Sequence, residues 1–252
     1  MGEFVHLNVH TEYSLQSGVC RISELGAAAR ELGQSALAVT DDCALYGAVD
    51  FFESCKKEGI KPIIGCTVMI AEGSRLNAQS PGSRSYRMTL LCENSVGYKN
   101  LCRIISEQRD FGAGVPLTDW ESLEAHSAGL IALSGAGGET ARLLLENRPD
   151  EAEKTALRHA KIFPGAFYLE LSNHGIAEEM RLCKALRGLS EKTKIPAVPT
   201  NNVHYIRKSD SSVQKMMSCI GGGLLLSERD PKALPTDEYY LKSYDEMRLY
   251  FT

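Results

Sequence analysis

The 252-residue sequence lacks several features that would narrow its class at once. It has no C-x-x-C pair, although eight cysteines are scattered along the chain. Scattered cysteines in a chain of this length are typical of buried, reduced thiols in the cytoplasm and not of a disulfide framework. The sequence also has no signal-peptide pattern and no run of about 20 apolar residues that would cross a membrane. We therefore expect a cytoplasmic protein with no membrane partner.

An excess of basic residues is also missing. The formal net charge is −4 and the sequence pI is about 5.9. A domain that binds a phosphate backbone by itself is expected to be basic, so we expect any contact with DNA to be indirect. The D-x-D spacing of paired aspartates is absent as well. Its absence excludes two-metal nucleotidyl transfer by this chain itself.

What the sequence does contain is a regular alternation of short apolar runs and amphipathic stretches. The apolar runs predict strands over residues 4–9, 36–39, 60–71, 88–92, 130–133, 167–171 and 197–200. Helical patterns separate most of these strands, including one that suits a C-cap at Gly59 and one over residues 95–107. Residues 72–85 and 112–118 are predicted to be loops. Repeated β/α units favour a parallel sheet covered by helices, and seven of them favour a single-domain α/β barrel.

Polar residues collect where these strands are predicted to end, which is where barrel enzymes carry their chemistry. The positions are Asn8, His10, Asp41, Asp42, Thr67, residues 134–138, Asn173, His174, Asn201, Asn202 and His204. Imidazoles and carboxylates that converge from several strands would suit a hydrolytic metal site. Amides and hydroxyls outnumber them here, however, and are weak ligands for zinc or manganese. Structural histidines, and a turn or helix cap at Asp41-Asp42, remain alternatives.

Several segments, taken together, resemble one known family over the entire chain. They are 4–14 (FVHLNVHTEYS), 38–49 (AVTDDCALYGAV), 59–65 (GIKPIIG), 97–101 (GYKNL), 130–135 (LIALSG), 168–171 (YLEL), 200–205 (TNNVHY) and 238–243 (EYYLKS). This set is similar to the PHP (polymerase and histidinol phosphatase) domain at the N-terminus of bacterial DNA polymerase III alpha subunits. The resemblance implies a distorted seven-stranded (β/α)7 barrel. It also implies that residues 1–252 form one PHP domain whose C-terminal end leads towards a polymerase palm outside this chain.

The resemblance further implies a degenerate metal site. Active family members bind a cluster of metal ions through about nine ligands and hydrolyse phosphoesters. His10 and His204 are retained here, while Asp42 and Glu107 stand where the family has histidines. Together with Asp41 these are the residues that could still bind a metal. The other ligand positions are lost and carry Asn8, Ser17, Thr67, Ala136 and Asn202.

The function implied by this pattern is that of a non-catalytic structural and interaction module in DNA replication. The expected partners are the polymerase module of the same subunit and a separate proofreading exonuclease subunit. The parent protein would be a DNA-directed DNA polymerase, and no cofactor is expected beyond zinc or manganese at low occupancy. One alternative is a metal-dependent 3′–5′ exonuclease or phosphoesterase that uses His10, Asp41, Asp42, Glu107 and His204. Another is a free-standing PHP protein.

Overall fold

The computed structural model describes residues 4–75, 84–108, 116–228, 230 and 233–251, and these residues form a mixed α/β fold. The strands within these ranges are β1 (Ala36–Val39), β2 (Lys61–Ala71), β3 (Ser85–Cys92), β4 (Leu117–Thr118), β5 (Leu130–Leu133), β6 (Phe167–Ser172) and β7 (Ala197–Thr200). The helices are α1 (Ile22–Glu31), α2 (Ala48–Glu58), α3 (Ser95–Glu107), α4 (Trp120–Ala125), α5 (Glu139–Leu145), α6 (Pro149–Ile162), α7 (Ala177–Thr193), α8 (Ser211–Gly222) and α9 (Tyr244–Phe251). The chain divides into two compact units, which are described separately below.

The first unit comprises Met1–Ile64, Asn173–Ile176 and Thr200–Thr252. In it, β1 pairs in parallel with the first four residues of β2. Helices α1 and α2 pack against each other, and their apolar faces supply five residues of one core. Helix α2 ends at Gly59, as predicted, because glycine readily adopts the left-handed conformation found there at a φ of +73°. The core of this unit contains Val9, Cys20, Ile22, Leu25, Ala29, Leu37, Val39, Phe51, Cys55, Ile60, Val203, Ile206 and Leu241.

The prediction of a first strand over residues 4–9 is wrong, because these residues do not form a regular strand. Its backbone groups bond to two different segments in turn: the His6 carbonyl accepts from Ala38 N, and the Asn8 carbonyl accepts from Val203 N. Because neither neighbour offers a continuous ladder, only an isolated bridge joins Val9 to Val203. These backbone hydrogen bonds nevertheless position the residues that follow the segment.

The second unit comprises Gly65–Ser172 and Ala177–Pro199. Its strand order is β2-β3-β5-β6-β7, and β4 pairs with β2. Strand β3 is antiparallel to both β2 and β5, which corrects the expected parallel arrangement at this position. The sequence places only residues 72–84 between β2 and β3. Parallel strands need a crossover of about a dozen residues or more, so this connection is barely long enough for one, whereas antiparallel neighbours can be joined by a much shorter connection.

Some predicted segments differ from the structure or fall outside it. The loop prediction at 112–118 is wrong at its end, because Leu117–Thr118 forms β4. Residues 112–115, and residues 76–83 of the other predicted loop, lie outside the described residues. Helix α3 matches its predicted bounds, and its close approach to the loop before β5 requires glycine at position 97, where a Cβ would lie 1.8 Å from the Gly129 carbonyl oxygen. Over the part of the chain that the structure covers, no helix is long and apolar enough to span a bilayer.

Candidate functional site

Five of the residues singled out from the sequence meet in the first unit. They form what we call the His10 cluster, which consists of His10, Asp41, Asp42, Asn202 and His204. Residues 8–11 bring His10 to the cluster, the end of β1 brings the two aspartates, and the segment after β7 brings Asn202 and His204. The sequence pointed to each of these residues, but it could not give their hydrogen-bond partners.

His10 is fully buried and its ring nitrogens face protein atoms. Nε2 lies 3.0 Å from Oδ1 of Asn202, and this oxygen can only accept a hydrogen bond. In the tautomer with its proton on Nε2, the ring donates to this oxygen. Nδ1 lies 3.3 Å from Ser14 Oγ and 3.7 Å from Oδ1 of Asp42. The ring also stacks on the His204 ring, with centroids 4.6 Å apart.

Asp41 is buried, and both of its carboxylate oxygens accept hydrogen bonds. Oδ1 accepts from the backbone N–H of Thr11 and from the Ser14 hydroxyl, each at 2.6 Å. Oδ2 accepts from the Thr11 hydroxyl at 2.7 Å. Three short hydrogen bonds to one carboxylate are strong, because the acceptor is charged. The side chain thus fastens the turn after residue 10 to the end of β1.

Asp42 and His204 are bound to the same turn. The Ser17 hydroxyl donates to Oδ2 of Asp42 at 3.3 Å, and the backbone N–H of Asp42 donates to Ser14 Oγ at 3.1 Å. Nδ1 of His204 donates to the Ser17 carbonyl oxygen at 3.0 Å. Ser17, one of the lost ligand positions, therefore contacts the cluster through its hydroxyl and its backbone. Ser14 touches three members of the cluster and was not singled out from the sequence.

The two asparagines at lost ligand positions act as hydrogen-bond partners. Asn8 is buried, and its Oδ1 lies 3.4 Å from the Thr40 hydroxyl. Asn202 has a backbone φ of +42°, in the left-handed region that asparagine tolerates better than most residues. Both amides supply neutral acceptors in places where the family resemblance implies charged or imidazole ligands.

The remaining predicted ligand positions lie in the second unit. Glu107 accepts from the Ser122 hydroxyl at 3.0 Å and lies 3.5 Å from Arg75 and 3.7 Å from His126. Its carboxylate thus takes part in a local network that also includes Asp119, which accepts from Arg75 at 2.7 Å. Thr67 is buried in β2, with its hydroxyl 3.3 Å from that of Thr89. Ala136 is exposed in the turn that follows β5.

A second polar cluster in the first unit surrounds a fully buried lysine, which the sequence analysis did not single out. Nζ of Lys242 donates to Oδ1 of Asn201 at 3.1 Å and to the Glu238 carbonyl oxygen, and it lies 3.2 Å from the Glu238 carboxylate. The Tyr240 and Tyr250 rings flank the ammonium group, with centroids 4.5 and 5.0 Å away. Because lysine is seldom fully buried, no sequence pattern predicts this role.

This lysine supports the segment that carries Asn202 and His204. The Asn201 amide donates to the carbonyl oxygens of Glu238 and Tyr240, at 2.9 and 2.8 Å. Burial lowers the pKa of Lys242, and Glu238 works against this effect. Burial acts to raise the pKa of Glu238, but hydrogen bonds from Lys208, Tyr250 and Lys242 outweigh it and lower that pKa to about 2. The Glu238 carboxylate is therefore charged at neutral pH.

The residues present do not fit the metal cluster of the active family members. Both oxygens of Asp41 accept from protein donors, and Nε2 of His10 lies 3.0 Å from the Asn202 side-chain oxygen. Neutral amides or hydroxyls occupy several of the remaining positions, and hard divalent cations depend on ligand charge. Among the described residues, no group of three or more His, Cys, Asp or Glu side chains is arranged to hold a metal ion.

Comparisons with known proteins place this geometry in a family. The family model described as the PHP domain matches residues 6–174. Among solved structures, a Bifidobacterium adolescentis protein provisionally assigned as a metal-dependent phosphoesterase gives a TM-score of 0.53 at 14% identity, over 81% of this chain and 88% of its own. An amidohydrolase from Chromobacterium violaceum also gives 0.53 at 14% identity, over 80% and 87%. These likenesses confirm the predicted fold class, and the chain belongs to the PHP domain family.

The curated relatives of this chain are DNA polymerase III alpha subunits. The chain is 38% identical to the DNA polymerase III subunit alpha of Borreliella burgdorferi, over 97% of its own length and 22% of the relative's. It is 38% identical to the Treponema pallidum protein of the same name and 34% identical to that of Thermus aquaticus, in each case over 98% of its length. The chain thus spans about a fifth of the length of these relatives, and the predicted resemblance to alpha subunits is confirmed.

Proposed function

We propose that residues 1–252 form the PHP domain of a bacterial replicative DNA polymerase subunit and act as a non-catalytic structural and interaction module. One observation carries this proposal. The side chains of the His10 cluster that would bind metal are instead hydrogen-bonded to one another and to the turn at residues 11–17. A buried site whose side chains are hydrogen-bonded in this way stabilises the fold, and its polar groups are already engaged with protein atoms.

The substitutions at the ligand positions suit such a role. Several carboxylates and imidazoles can share a buried site only while a cation neutralises them, because like charges and desolvation raise their energy otherwise. Asn8, Ser17 and Asn202 remove those charges yet keep hydrogen-bonding groups. On this proposal zinc or manganese would bind at low occupancy if at all.

The proposed partners follow from the size of the relatives. Because the alpha subunits are about five times as long as this chain, we expect a polymerase module in the same subunit, which would make the whole protein a DNA-directed DNA polymerase. We also expect a separate proofreading exonuclease subunit to dock on this domain. The acidic net charge suits indirect contact with DNA, and the cytoplasm is the expected location.

A metal-dependent 3′–5′ exonuclease is the second candidate. It is favoured by the retained His10 and His204 and by the metal-dependent phosphoesterase among the structural neighbours. On this reading Asp41, Asp42 and Glu107 would supply the remaining ligands. A free-standing PHP protein is a third reading, which the length of the relatives does not favour.

The proposal is tested by assaying the full chain for 3′–5′ cleavage of single-stranded DNA with added zinc or manganese, beside Asp42→Asn as a matched control. We expect wild type and variant to show the same background, because neither has a working site. In a parallel measurement, the polymerase module of the same subunit is supplied as a separate polypeptide, and we expect the two to elute together. Metal-dependent cleavage that Asp42→Asn abolishes would favour the exonuclease instead.

A further inference from the structure

Helix α2 presents apolar side chains on its outer side as well as on its inner side. Ala48, Phe51 and Cys55 are buried against the core of the first unit. On the outside, Val49 is 66% exposed and Phe52 is 48% exposed, and Tyr46, just before the helix, is 76% exposed. Neighbouring large apolar side chains that remain in water often mark an interaction surface. We call Tyr46, Val49 and Phe52 the α2 face.

An acidic pocket adjoins the α2 face. Its volume is about 400 Å³, and its lining consists of Glu12, Tyr13, Ile22, Ser23, Asp50, Glu53, Ser54 and Lys57. The lining carries three carboxylates and one ammonium group, so its formal charge is negative. Val49 and Glu53 are four residues apart on α2, which places the apolar face and the acidic wall side by side.

The walls of this pocket are built from contacts within the first unit. The Tyr13 hydroxyl donates to Oδ2 of Asp50 at 3.4 Å, and the Glu12 carboxylate accepts from the Ile22 backbone N–H at 3.2 Å. Gly47 allows this arrangement, because a Cβ at that position would lie 2.7 Å from the Tyr13 ring. The cavity is large enough for a side chain to enter, since ligand pockets begin at about 300 Å³.

We propose that the α2 face and its acidic pocket dock a segment of a partner protein that inserts an arginine or lysine into the pocket and lays apolar side chains on Tyr46, Val49 and Phe52. Charge complementarity selects this occupant. A nucleic acid would bring phosphates against the carboxylates, which is unfavourable. In a twofold dimer the same acidic surface would meet itself, which argues against a second copy of this chain. This inference rests on the proposed role as an interaction module.

Asp50 and Glu53 are the residues expected to recognise the basic side chain. They lie one turn apart on α2, so one guanidinium can contact both carboxylates. The apolar face would then supply contact area beside the charged anchor. Binding should weaken as salt rises, because the charges lie near the surface.

The test selects phage-displayed peptides of about twelve residues on the full chain. Three variants follow: Asp50→Asn/Glu53→Gln, Phe52→Ser, and a control with the same charge change, Glu121→Gln/Glu124→Gln on α4. Asp50→Asn keeps an oxygen that can accept from Tyr13, and thermal unfolding checks that every variant folds. We expect enriched peptides to place Lys or Arg beside apolar residues. Their affinity should fall at least about tenfold for the first two variants and stay unchanged for the control.

Two results would overturn the inference. One is that no peptides are enriched, or that those enriched lack a basic residue. The other is that enriched peptides bind Asp50→Asn/Glu53→Gln as tightly as wild type. Either result leaves the proposed function intact if the same preparation is also free of metal and nuclease activity. Bound metal and nuclease activity in that preparation would instead contradict the proposed function, whatever the peptides do.

Discussion

The side-chain oxygen of Asn202 accepts a hydrogen bond from Nε2 of His10 at 3.0 Å, across 192 positions of sequence. The resemblance implies an aspartate at position 202 in metal-binding relatives. Here a neutral amide oxygen meets the ring nitrogen. The pair therefore joins two segments that are distant in sequence, and this relationship can be tested by substitution.

Two substitutions of Asn202 separate the contribution of its hydrogen bond to stability from the contribution of its backbone conformation. Asn202→Ala loses the bond to His10 and places an alanine at a φ of +42°, so we expect a loss of about 2 kcal/mol in the free energy of unfolding. Asn202→Gly loses the same bond but tolerates the left-handed backbone, so we expect about 1 kcal/mol. Urea unfolding of both variants measures the difference. Equal losses would mean that the conformation at 202 carries no strain.

Asp41 should matter to stability far more than its neighbour. Asp41→Asn offers an NH2 group to a site with three donors, which leaves a buried donor without an acceptor. We expect a loss of about 2 to 4 kcal/mol. Asp42→Asn is the matched control, and because its side chain is partly exposed we expect less than about 1 kcal/mol. In urea unfolding, a larger loss of stability for Asp42→Asn than for Asp41→Asn would contradict the hydrogen-bond assignment.

His6 should make the protein sensitive to acid. Burial lowers its pKa from 6.5 to about 4, so the folded state binds fewer protons than the unfolded state between these values. Stability is then fully present above pH 6.5 and is lost as the pH falls towards 4, by at most about 3 kcal/mol. His6→Gln can still donate to the Lys242 carbonyl but cannot titrate. Urea unfolding from pH 8 to pH 4 should show a smaller loss for this variant, and parallel curves would contradict the prediction.

The buried Lys242 predicts unequal effects for its two charged neighbours. Glu238→Ala leaves the ammonium group buried without its carboxylate, and we expect a loss of about 3 kcal/mol or more. Lys208→Met removes an exposed partner of the same carboxylate, and we expect less than about 1 kcal/mol. Chemical unfolding at neutral pH compares the two. If both variants lost less than about 1 kcal/mol, the result would contradict the prediction that Lys242 depends on the Glu238 carboxylate.

Local patterns predicted much of the fold because they carry strong signals. Helix α3 and strands β1, β5 and β7 lie at their predicted bounds, since each is a short apolar run or an amphipathic stretch between clear breaks. Residues 4–9 have the same apolar signal, but their backbone pairs with two different segments, which is a tertiary effect. The orientation of β3 depends on the connection before it, and β4 is too short for a periodic pattern.

The sequence pointed to several members of the His10 cluster but not to the hydrogen bonds that they form. The resemblance placed His10, Asp41, Asp42 and His204 in one region, and the first unit brings them together. It gave no sign that Ser14 links three of them, because a serine beside a turn is common in any protein. The role of Lys242 depends on Asn201 and Glu238 from separate segments, and their meeting is a property of the folded chain.

The central claim is that the His10 cluster is held together by hydrogen bonds and not by metal. The most direct measurement is the metal content of the full chain, purified without chelator and then dialysed against zinc and manganese, by mass spectrometry. The account predicts far less than one ion per chain, with the same urea midpoint before and after chelator treatment. Stoichiometric zinc or manganese, lost on chelation together with stability, would contradict it.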